Sequence, residues 1–267
     1  MQYLITSLFC LLLFFSCEKE ALEDPAITSA TLPVVEAYLV AGQTAQVELR
    51  QQVPFEAVDS LDLPLTGLAP QLFSEGVTYD LSETTPGVYT ADTTWRIQAG
   101  QTYELRFVYA DRDVTAITTI PFPPRNFSSS ASSITFESSS FPPSIPDPIE
   151  LTWDAVAGSY YLVRVENIES NPVELSSLGG GGGGGERPVM VTVPEQVNTY
   201  SLRPRDFQYL GTTRIVLTEV TIDYVVLAQE TSSADAQNLT EPFSNIEGGT
   251  GIFTGAGTDT LFIEVRD

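Results

Sequence analysis

Apolar and polar residues alternate with a period of two along most of the chain that follows residue 32. The clearest stretches are residues 45–49 and 102–107, where apolar and polar residues alternate. This alternation is typical of β-strands with one buried and one solvated face. Further strands are predicted at residues 77–81, 149–153, 161–165 and 189–193. No window of a dozen residues carries a sustained helical stripe, so the pattern predicts an all-β fold.

The longest apolar run outside the N-terminus, residues 215–228, is dense in Val, Ile, Thr and Tyr. These residue types favour strands. The run therefore predicts either two strands that meet near Glu219 or one long strand with a bend.

Turn residues separate the strands at intervals of roughly 8–12 residues, which is typical of antiparallel sandwiches. A proline-rich segment, residues 121–124, marks a domain boundary, and a stretch rich in Ser and Pro follows it. The sequence thus predicts two antiparallel immunoglobulin/fibronectin III-like β-sandwich domains in tandem. The first covers residues 33–123, and the second covers residues 124–267 with a Ser/Pro-rich entry segment.

Two local patterns support this fold. The pattern Gly100-x-x-Tyr103-x-Leu105 resembles the tyrosine corner of immunoglobulin-like folds, in which a Tyr hydroxyl bonds to nearby backbone. Trp153 shares its strand parity with Leu151, which predicts a core residue. The alternative is that Trp153 forms a platform on which a sugar stacks.

The N-terminus has the features of a lipoprotein signal. Residues 1–16 carry no charged side chain, and their apolar run of about a dozen residues is too short for a bilayer-spanning helix. They end at Cys17 in a sequence that resembles the bacterial lipobox, so Cys17 is the predicted lipidation site. Residues 17–32 then form a lipidated tether. The alternative is an ordinary signal peptide that is cleaved elsewhere, with Cys17 incidental.

Charge restricts the partners. The chain has 35 acidic residues and 12 basic ones, which gives a net charge of −23. Such a surface repels phosphates and offers no basic stripe, so nucleic-acid binding is excluded. Lipid head groups are repelled as well, so the acyl chains would hold the protein to the membrane.

The chain resembles an uncharacterised family of Bacteroidota outer-membrane lipoproteins. The resemblance covers nearly the whole chain after the signal and is most specific at Asn245-Ile246-Glu247-Gly248-Gly249-x-Gly251-x-Phe253. Members are described only by a domain of unknown function and are often encoded beside TonB-dependent receptors. The resemblance implies an outer-membrane location. The acidic stretch Glu18-Lys19-Glu20 resembles a surface-export signal, which implies exposure at the cell surface. The alternative is a generic solvated tether.

Two glycine-rich segments call for an interpretation. Gly248, Gly249 and Gly251 lack the Lys and the helix of a P-loop. We therefore interpret them as sites where the backbone passes close to a neighbouring strand. The run of seven glycines at residues 179–185 predicts a loop between strands.

Catalytic chemistry has few candidates. The chain has no histidine, and Cys10 lies within the predicted signal, so triads that need His or Cys and ordinary zinc sites are not available. Asp111 and Asp113 are weak calcium candidates. Two further pairs of acidic residues have the spacing of a possible hydrolase or calcium site: Asp59 and Asp62, and Glu166 and Glu169. No catalytic residue and no cofactor is predicted.

Three functional hypotheses remain. The favoured one is a non-catalytic interaction module, anchored in the outer membrane and accessory to a TonB-dependent uptake receptor. The second is a surface adhesion or glycan-binding protein. The third is a hydrolase that works through carboxylates alone.

Overall fold

The structure, a computed structural model, describes residues 32–52, 63–137, 145–175, 189–233 and 243–267. Strands account for most of these residues. They are β1 (Pro33–Val40), β2 (Gln46–Gln51), β3 (Gln71–Ser74), β4 (Val77–Asp80), β5 (Ser82–Thr85), β6 (Val88–Thr90), β7 (Thr102–Tyr109), β8 (Arg112–Thr119), β9 (Arg125–Ser129), β10 (Ser133–Thr135), β11 (Ile149–Asp154), β12 (Tyr160–Asn167), β13 (Met190–Val191), β14 (Thr199–Leu202), β15 (Gly211–Val220) and β16 (Thr250–Arg266). The predicted all-β sandwich architecture is confirmed.

The strands form three sheets. A nine-stranded sheet has the order β13-β12-β15-β16-β1-β2-β6-β5, with β10 also paired to β16. A four-stranded sheet has the order β4-β3-β7-β8, and a three-stranded sheet has the order β14-β11-β9. Most neighbours are antiparallel, but β16 pairs parallel with both β1 and β10, which the sequence pattern did not predict.

The nine-stranded sheet forms one face of two sandwiches. The first sandwich places it against the four-stranded sheet, and its core includes buried residues such as Leu39, Tyr103 and Phe253. The second sandwich places it against the three-stranded sheet, around Trp153 and Ile215. Alternate residues of each strand fill these cores, because successive side chains of a strand point to opposite faces.

Strand β16 belongs to both sandwiches. Its first half pairs with β1, from Val34 opposite Thr250 to Val40 opposite Ala256. Its second half pairs with β15, from Ala256 to Val265. Residues 32–267 accordingly form one compact unit. The predicted division between residues 123 and 124 stays a prediction, but residues 250–256, which that division places in the second domain, complete the first sandwich.

Part of the apolar run at residues 215–228, which was predicted to form strands, is a helix. The run at residues 215–228 continues β15 only to Val220, and helix α1 (Ile222–Ser233) follows. The prediction of strands throughout this run was wrong. Thr221 lies at the start of the helix, where its hydroxyl oxygen accepts a hydrogen bond from the Tyr224 N–H at 3.5 Å. Val225 is buried against Leu162, so tertiary packing overrides the strand preference of the individual residues.

Candidate functional site

The outer face of the four-stranded sheet carries a groove of about 590 Å³. Strands β3, β7 and β8 supply its floor, and we refer to it as the groove. Its lining residues are Ala69, Gln71, Phe73, Glu104, Arg106, Phe107, Val108, Asp113, Val114 and Thr115. Seven of them alternate with core residues along their strands, so the groove uses the side of the sheet that faces away from the first core.

Arg106 organises the middle of the groove. Its guanidinium carbon lies 4.4 Å from the ring centroid of Phe73. It also donates two hydrogen bonds to the Glu104 carboxylate, at 2.7 and 2.6 Å. These bonds hold the pKa of Glu104 below its ordinary value. Glu104 and Arg106 are therefore both charged near neutral pH. The hydrogen bonds to Glu104 and the contact with the Phe73 ring together hold the Arg106 side chain in place.

Two aliphatic side chains extend the apolar part of this face. Val108 lies in the groove and is 58% exposed, and Ile117, opposite Glu104 on β8, is 61% exposed. A single exposed aliphatic residue is ordinary on a protein surface. Here Val108 lines the groove and Ile117 lies opposite Glu104, so this face combines apolar area with a charge pair.

The calcium candidates lie at one end of the same hairpin. Ala110 and Asp111 form the loop between β7 and β8, with φ angles of 49° and 59°. A two-residue hairpin loop needs positive φ, and Asp tolerates it. Asp113 borders the groove. Among the residues that the structure describes, no three acidic side chains come together as a metal cluster, and calcium binding by Asp111 and Asp113 stays a prediction.

The other carboxylate pairs have structural partners. Glu166 accepts a hydrogen bond from Arg214 at 2.8 Å and lies 3.3 Å from Arg164. The Glu169 carboxylate accepts from the Thr212 backbone N–H at 2.8 Å. Asp59 and Asp62 lie outside the described residues, as do Cys17 and the glycines at 179–185.

The C-terminal glycine motif is structural where it is described. A Cβ atom at Gly251 would lie 2.0 Å from the Val35 carbonyl oxygen, and one at Gly248 would lie 2.3 Å from the Asp113 carbonyl oxygen. The Asn245 side chain bonds to both the N–H and the carbonyl of Phe253, at 2.9 and 2.8 Å. These distances confirm that the glycines allow close backbone approach, Gly251 to β1 and Gly248 to β8.

Each sandwich contains a tyrosine corner. The predicted corner is confirmed, because the Tyr103 hydroxyl accepts a hydrogen bond from the Gln98 N–H at 3.0 Å. The second sandwich repeats the arrangement, with the Tyr161 hydroxyl accepting from the Val156 N–H at 2.9 Å. The sequence signal for the second corner, Gly158-x-x-Tyr161, was available and was missed.

A second cavity opens between the two sheets of the second sandwich, and we refer to it as the cleft. Its volume is about 320 Å³, and its lining residues are Trp153, Tyr161, Val163, Met190, Val191, Thr192, Val193, Glu195, Val197 and Tyr200. Trp153 is 4% exposed and packs edge-on against Phe127, which confirms it as a core residue. The sequence pattern predicted a strand at residues 189–193 but could not show that it borders an aromatic cleft.

No helix among the described residues combines the length and apolarity required to span a bilayer. A family model described as a domain of unknown function (DUF4249) matches residues 23–261. The chain belongs to this DUF4249 family. The expected membership in a family of unknown function is confirmed, while the Bacteroidota origin and the link to TonB-dependent receptors stay predictions. No curated protein matches the DUF4249 chain significantly.

Several solved structures align with the DUF4249 chain at low identity. The FN1–FN3 fragment of chicken CNTN1 is 12% identical with a TM-score of 0.27, over 89% of this chain and 65% of that one. A two-domain fibronectin type III segment of chicken tenascin is 11% identical with a TM-score of 0.24, over 87% of this chain and 99% of that one. A bacterial ice-binding adhesin is 12% identical with a TM-score of 0.22, over 89% of this chain and 66% of that one.

Proposed function

We propose that this DUF4249 protein is an outer-membrane lipoprotein, anchored through Cys17, that acts as a non-catalytic binding module and an accessory to a TonB-dependent uptake receptor. The observation that carries the proposal is the groove on the first sandwich. It is an exposed face that combines apolar side chains with an oriented Arg106–Glu104 pair. Interfaces of this kind use Arg and aromatic residues as anchors, with polar groups around them.

The shape and chemistry of the groove support protein binding. The groove lies on the flat side of a sheet, and its charged pair is held by two hydrogen bonds in a fixed geometry. A preorganised guanidinium loses little side-chain freedom when a partner binds. The described carboxylates at Glu166 and Glu169 are engaged by basic or backbone groups, which favours a binding role for the protein over hydrolysis.

The first test measures association with an outer-membrane barrel. The full-length chain is purified from native membranes in mild detergent, and co-purification of the barrel is quantified for the parent chain, Val108→Asp and Phe262→Asp. Val108 lines the groove and is 58% exposed, and Phe262, 56% exposed on the second sandwich, serves as the matched control. We expect Val108→Asp to reduce the recovered barrel about tenfold, because a charge in an apolar contact costs on the order of 1.4 kcal/mol or more.

Equal recovery with both variants would remove the groove from the proposal. The anchor is tested separately by the mass of the mature N-terminus and by the distribution of Cys17→Ala between membrane and medium. We expect a diacylated Cys17 in the parent chain and release of the variant from the membrane. An unacylated parent chain would contradict the anchor, whatever the groove binds.

A further inference from the structure

The nine-stranded sheet ends in β5 on one side of its main strand order and in β13 on the other, and these two edges differ in chemistry. One edge is β5, whose four residues Ser82–Thr85 are polar and exposed. Its Glu83 carboxylate accepts hydrogen bonds from the backbone of Gly67 and Gly87, at 2.9 and 3.0 Å. Polar and charged residues on an edge strand discourage pairing with another chain. This edge is therefore closed to an additional strand.

The other edge, residues 189–193 around β13, is apolar. We refer to it as the edge segment. Val189, Val191 and Val193 are 40%, 51% and 60% exposed, and no residue of the segment is charged. An exposed apolar edge is a template for pairing with another chain. Pro194 follows the segment and limits its length at that end, because proline cannot donate to a ladder.

The backbone of the edge segment is oriented for such pairing. The Thr192 N–H donates to the Val163 carbonyl of β12 at 3.0 Å. Because hydrogen-bonding directions alternate along an antiparallel strand, the N–H and the carbonyl of Val191 point away from β12. Pairing with β12 shifts register before Glu195, which exchanges two hydrogen bonds with Tyr161, each of 2.9 Å. This bulge ends the regular edge at Val193.

The cleft lies directly beside this edge. Met190, Val191, Thr192 and Val193 form one of its walls, and Trp153, Tyr161 and Tyr200 contribute the aromatic surface. Its volume of about 320 Å³ is at the lower end of the range of roughly 300–1,000 Å³ for small-molecule sites, and it offers space for one large side chain. A strand added at the edge segment would project alternate side chains toward this opening.

We infer that the edge segment and the cleft together bind an extended, neutral or basic segment of another protein by strand addition, with one bulky apolar side chain inserted into the cleft. The negative charge of the cleft and of the whole chain favours a neutral or basic segment as the occupant. Glu195 is the one charged side chain among the described residues that line the cleft. The whole chain carries a charge of −23, so two copies repel each other and a basic segment is attracted. The site is separate from the groove, and its test does not depend on the receptor.

The experiment uses the full-length chain in detergent and a fluorescent peptide, Lys-Thr-Val-Thr-Tyr-Thr-Val-Thr-Lys. Binding is followed by fluorescence anisotropy and compared with a peptide that has Glu in place of both Lys residues. We expect saturable binding of the Lys peptide that is at least about tenfold tighter than binding of the Glu peptide, in line with electrostatic complementarity. A third peptide, with Pro at the two central Thr positions, cannot form the ladder and should not bind.

Two variants of one position test the backbone contact. Val191→Pro removes an outward N–H without breaking a bond to β12, and Val191→Thr keeps that N–H with a side chain of similar shape. We expect Val191→Pro to weaken binding about tenfold, the effect of losing one hydrogen bond of about 1.4 kcal/mol, and Val191→Thr to leave it within about twofold. Equal denaturation midpoints for the two variants show that both are folded.

Val197→Trp fills the cleft and tests the inserted side chain. We expect it to weaken the Lys peptide about tenfold, as the loss of a buried apolar anchor implies. Three results would overturn the inference. They are no saturable binding of the Lys peptide, binding that Val191→Pro does not affect, and self-association of the chain that Val191→Pro abolishes, since the last would make a second copy the occupant.

Discussion

The two sandwiches use the same tyrosine corner but different acceptors for its hydroxyl proton. In the first sandwich, the Tyr103 hydroxyl lies 3.1 Å from the side-chain oxygen of Gln101, only two residues away. In the second, the Tyr161 hydroxyl lies 3.1 Å from the carboxylate of Glu219 on β15, a strand distant in sequence. The first corner therefore connects only residues that are close together in sequence. The second joins two strands of the nine-stranded sheet through a charged group.

The comparison shows how one motif serves two kinds of core. The first sandwich obtains its distant connection from β16, where Phe253 reaches the first core. The second sandwich has β15 and β16 side by side and adds the Tyr161–Glu219 contact. Local pattern accounts for each corner, whereas the long-range contacts make each sandwich depend on the C-terminal part of the chain.

The largest expected effect comes from Phe253→Ala. Phe253 is fully buried in the first core, and removal of a buried aromatic side chain costs about 3–5 kcal/mol. Because β16 continues into the second core, we expect both sandwiches to unfold together at a lower denaturant concentration. The chain has two tryptophans, so Trp153→Phe leaves Trp95 as a probe of the first core and Trp95→Phe leaves Trp153 as a probe of the second.

The control for this prediction is the unfolding of the parent chain with each probe. The Trp95 ring stacks on Tyr79 at 4.0 Å, and Trp153 lies 5.7 Å from Tyr161, so both report local packing. Coincident transitions support one cooperative unit. Two separate midpoints in the parent chain would contradict it and would favour the independent tandem domains that the sequence predicted.

The next largest effect is a difference in stability between variants of the two tyrosine corners. Tyr161→Phe removes a hydroxyl that bonds to a carboxylate, and we expect a loss of about 2 kcal/mol in the free energy of unfolding. Tyr103→Phe removes a bond to a neutral amide, and we expect a loss of about 1 kcal/mol. Tyr160→Phe, at a partly buried neighbour, is the matched control. Equal losses at both corners would show that the carboxylate adds nothing.

The stability of the protein at alkaline pH also depends on the two tyrosine corners. Burial raises the pKa values of Tyr103 and Tyr161, and the charge of Glu219 adds to the effect at Tyr161. Burial also raises the pKa of Tyr38 to about 12. A raised tyrosine pKa means that the unfolded state loses its proton first, so stability is fully present below about pH 10 and falls as the pH rises beyond that value. Denaturation midpoints measured from pH 8 to pH 11 check this direction.

Glu219→Gln is the variant that isolates the charge. Without the carboxylate, the Tyr161 pKa is raised less, so we expect the decline above about pH 10 to be shallower than in the parent chain. The first corner, which lacks this partner, should titrate as before. A steeper decline in the variant would contradict the role assigned to Glu219.

The smallest effects are expected from ion pairs on the outer strand faces. Comparable pairs between residues two apart are Glu48 with Arg50 at 2.9 Å in the first sandwich and Arg164 with Glu166 at 3.3 Å in the second. Exposed pairs contribute about 0–1 kcal/mol. We expect Arg50→Ala to change the free energy of unfolding by less than about 0.5 kcal/mol, measured by urea denaturation. Arg164→Ala should do the same, because Glu166 keeps Arg214.

Much of the fold was predictable from alternation alone. Strands such as β7 and β11 were placed from their pattern, and Tyr103 and Trp153 were assigned correctly because each has a local signal. The helix at Ile222–Ser233 was not predictable from residue preference, since Val and Tyr in its first turns favour strands in isolation. The groove and the cleft could not be found, because both depend on which strands become neighbours.

The alternation of apolar and polar residues does not show which strands pair with each other. Nothing near Val35 indicates that Gly251 will lie beside it, and only the glycines themselves suggested a close backbone approach. The split of β16 between the sandwiches follows from such pairings. A prediction from one sequence therefore identifies strands and local motifs but not the surfaces that assembled sheets create.

The separation of β1 and β16 along the chain also has a consequence for biosynthesis. Strand β1 leaves the ribosome long before its parallel neighbour, which begins at Thr250. The first sandwich cannot close until β16 has been made, and contacts between such distant residues form slowly. A nascent chain thus exposes half-finished sheets until then, which makes it a client for holding chaperones before β16 arrives.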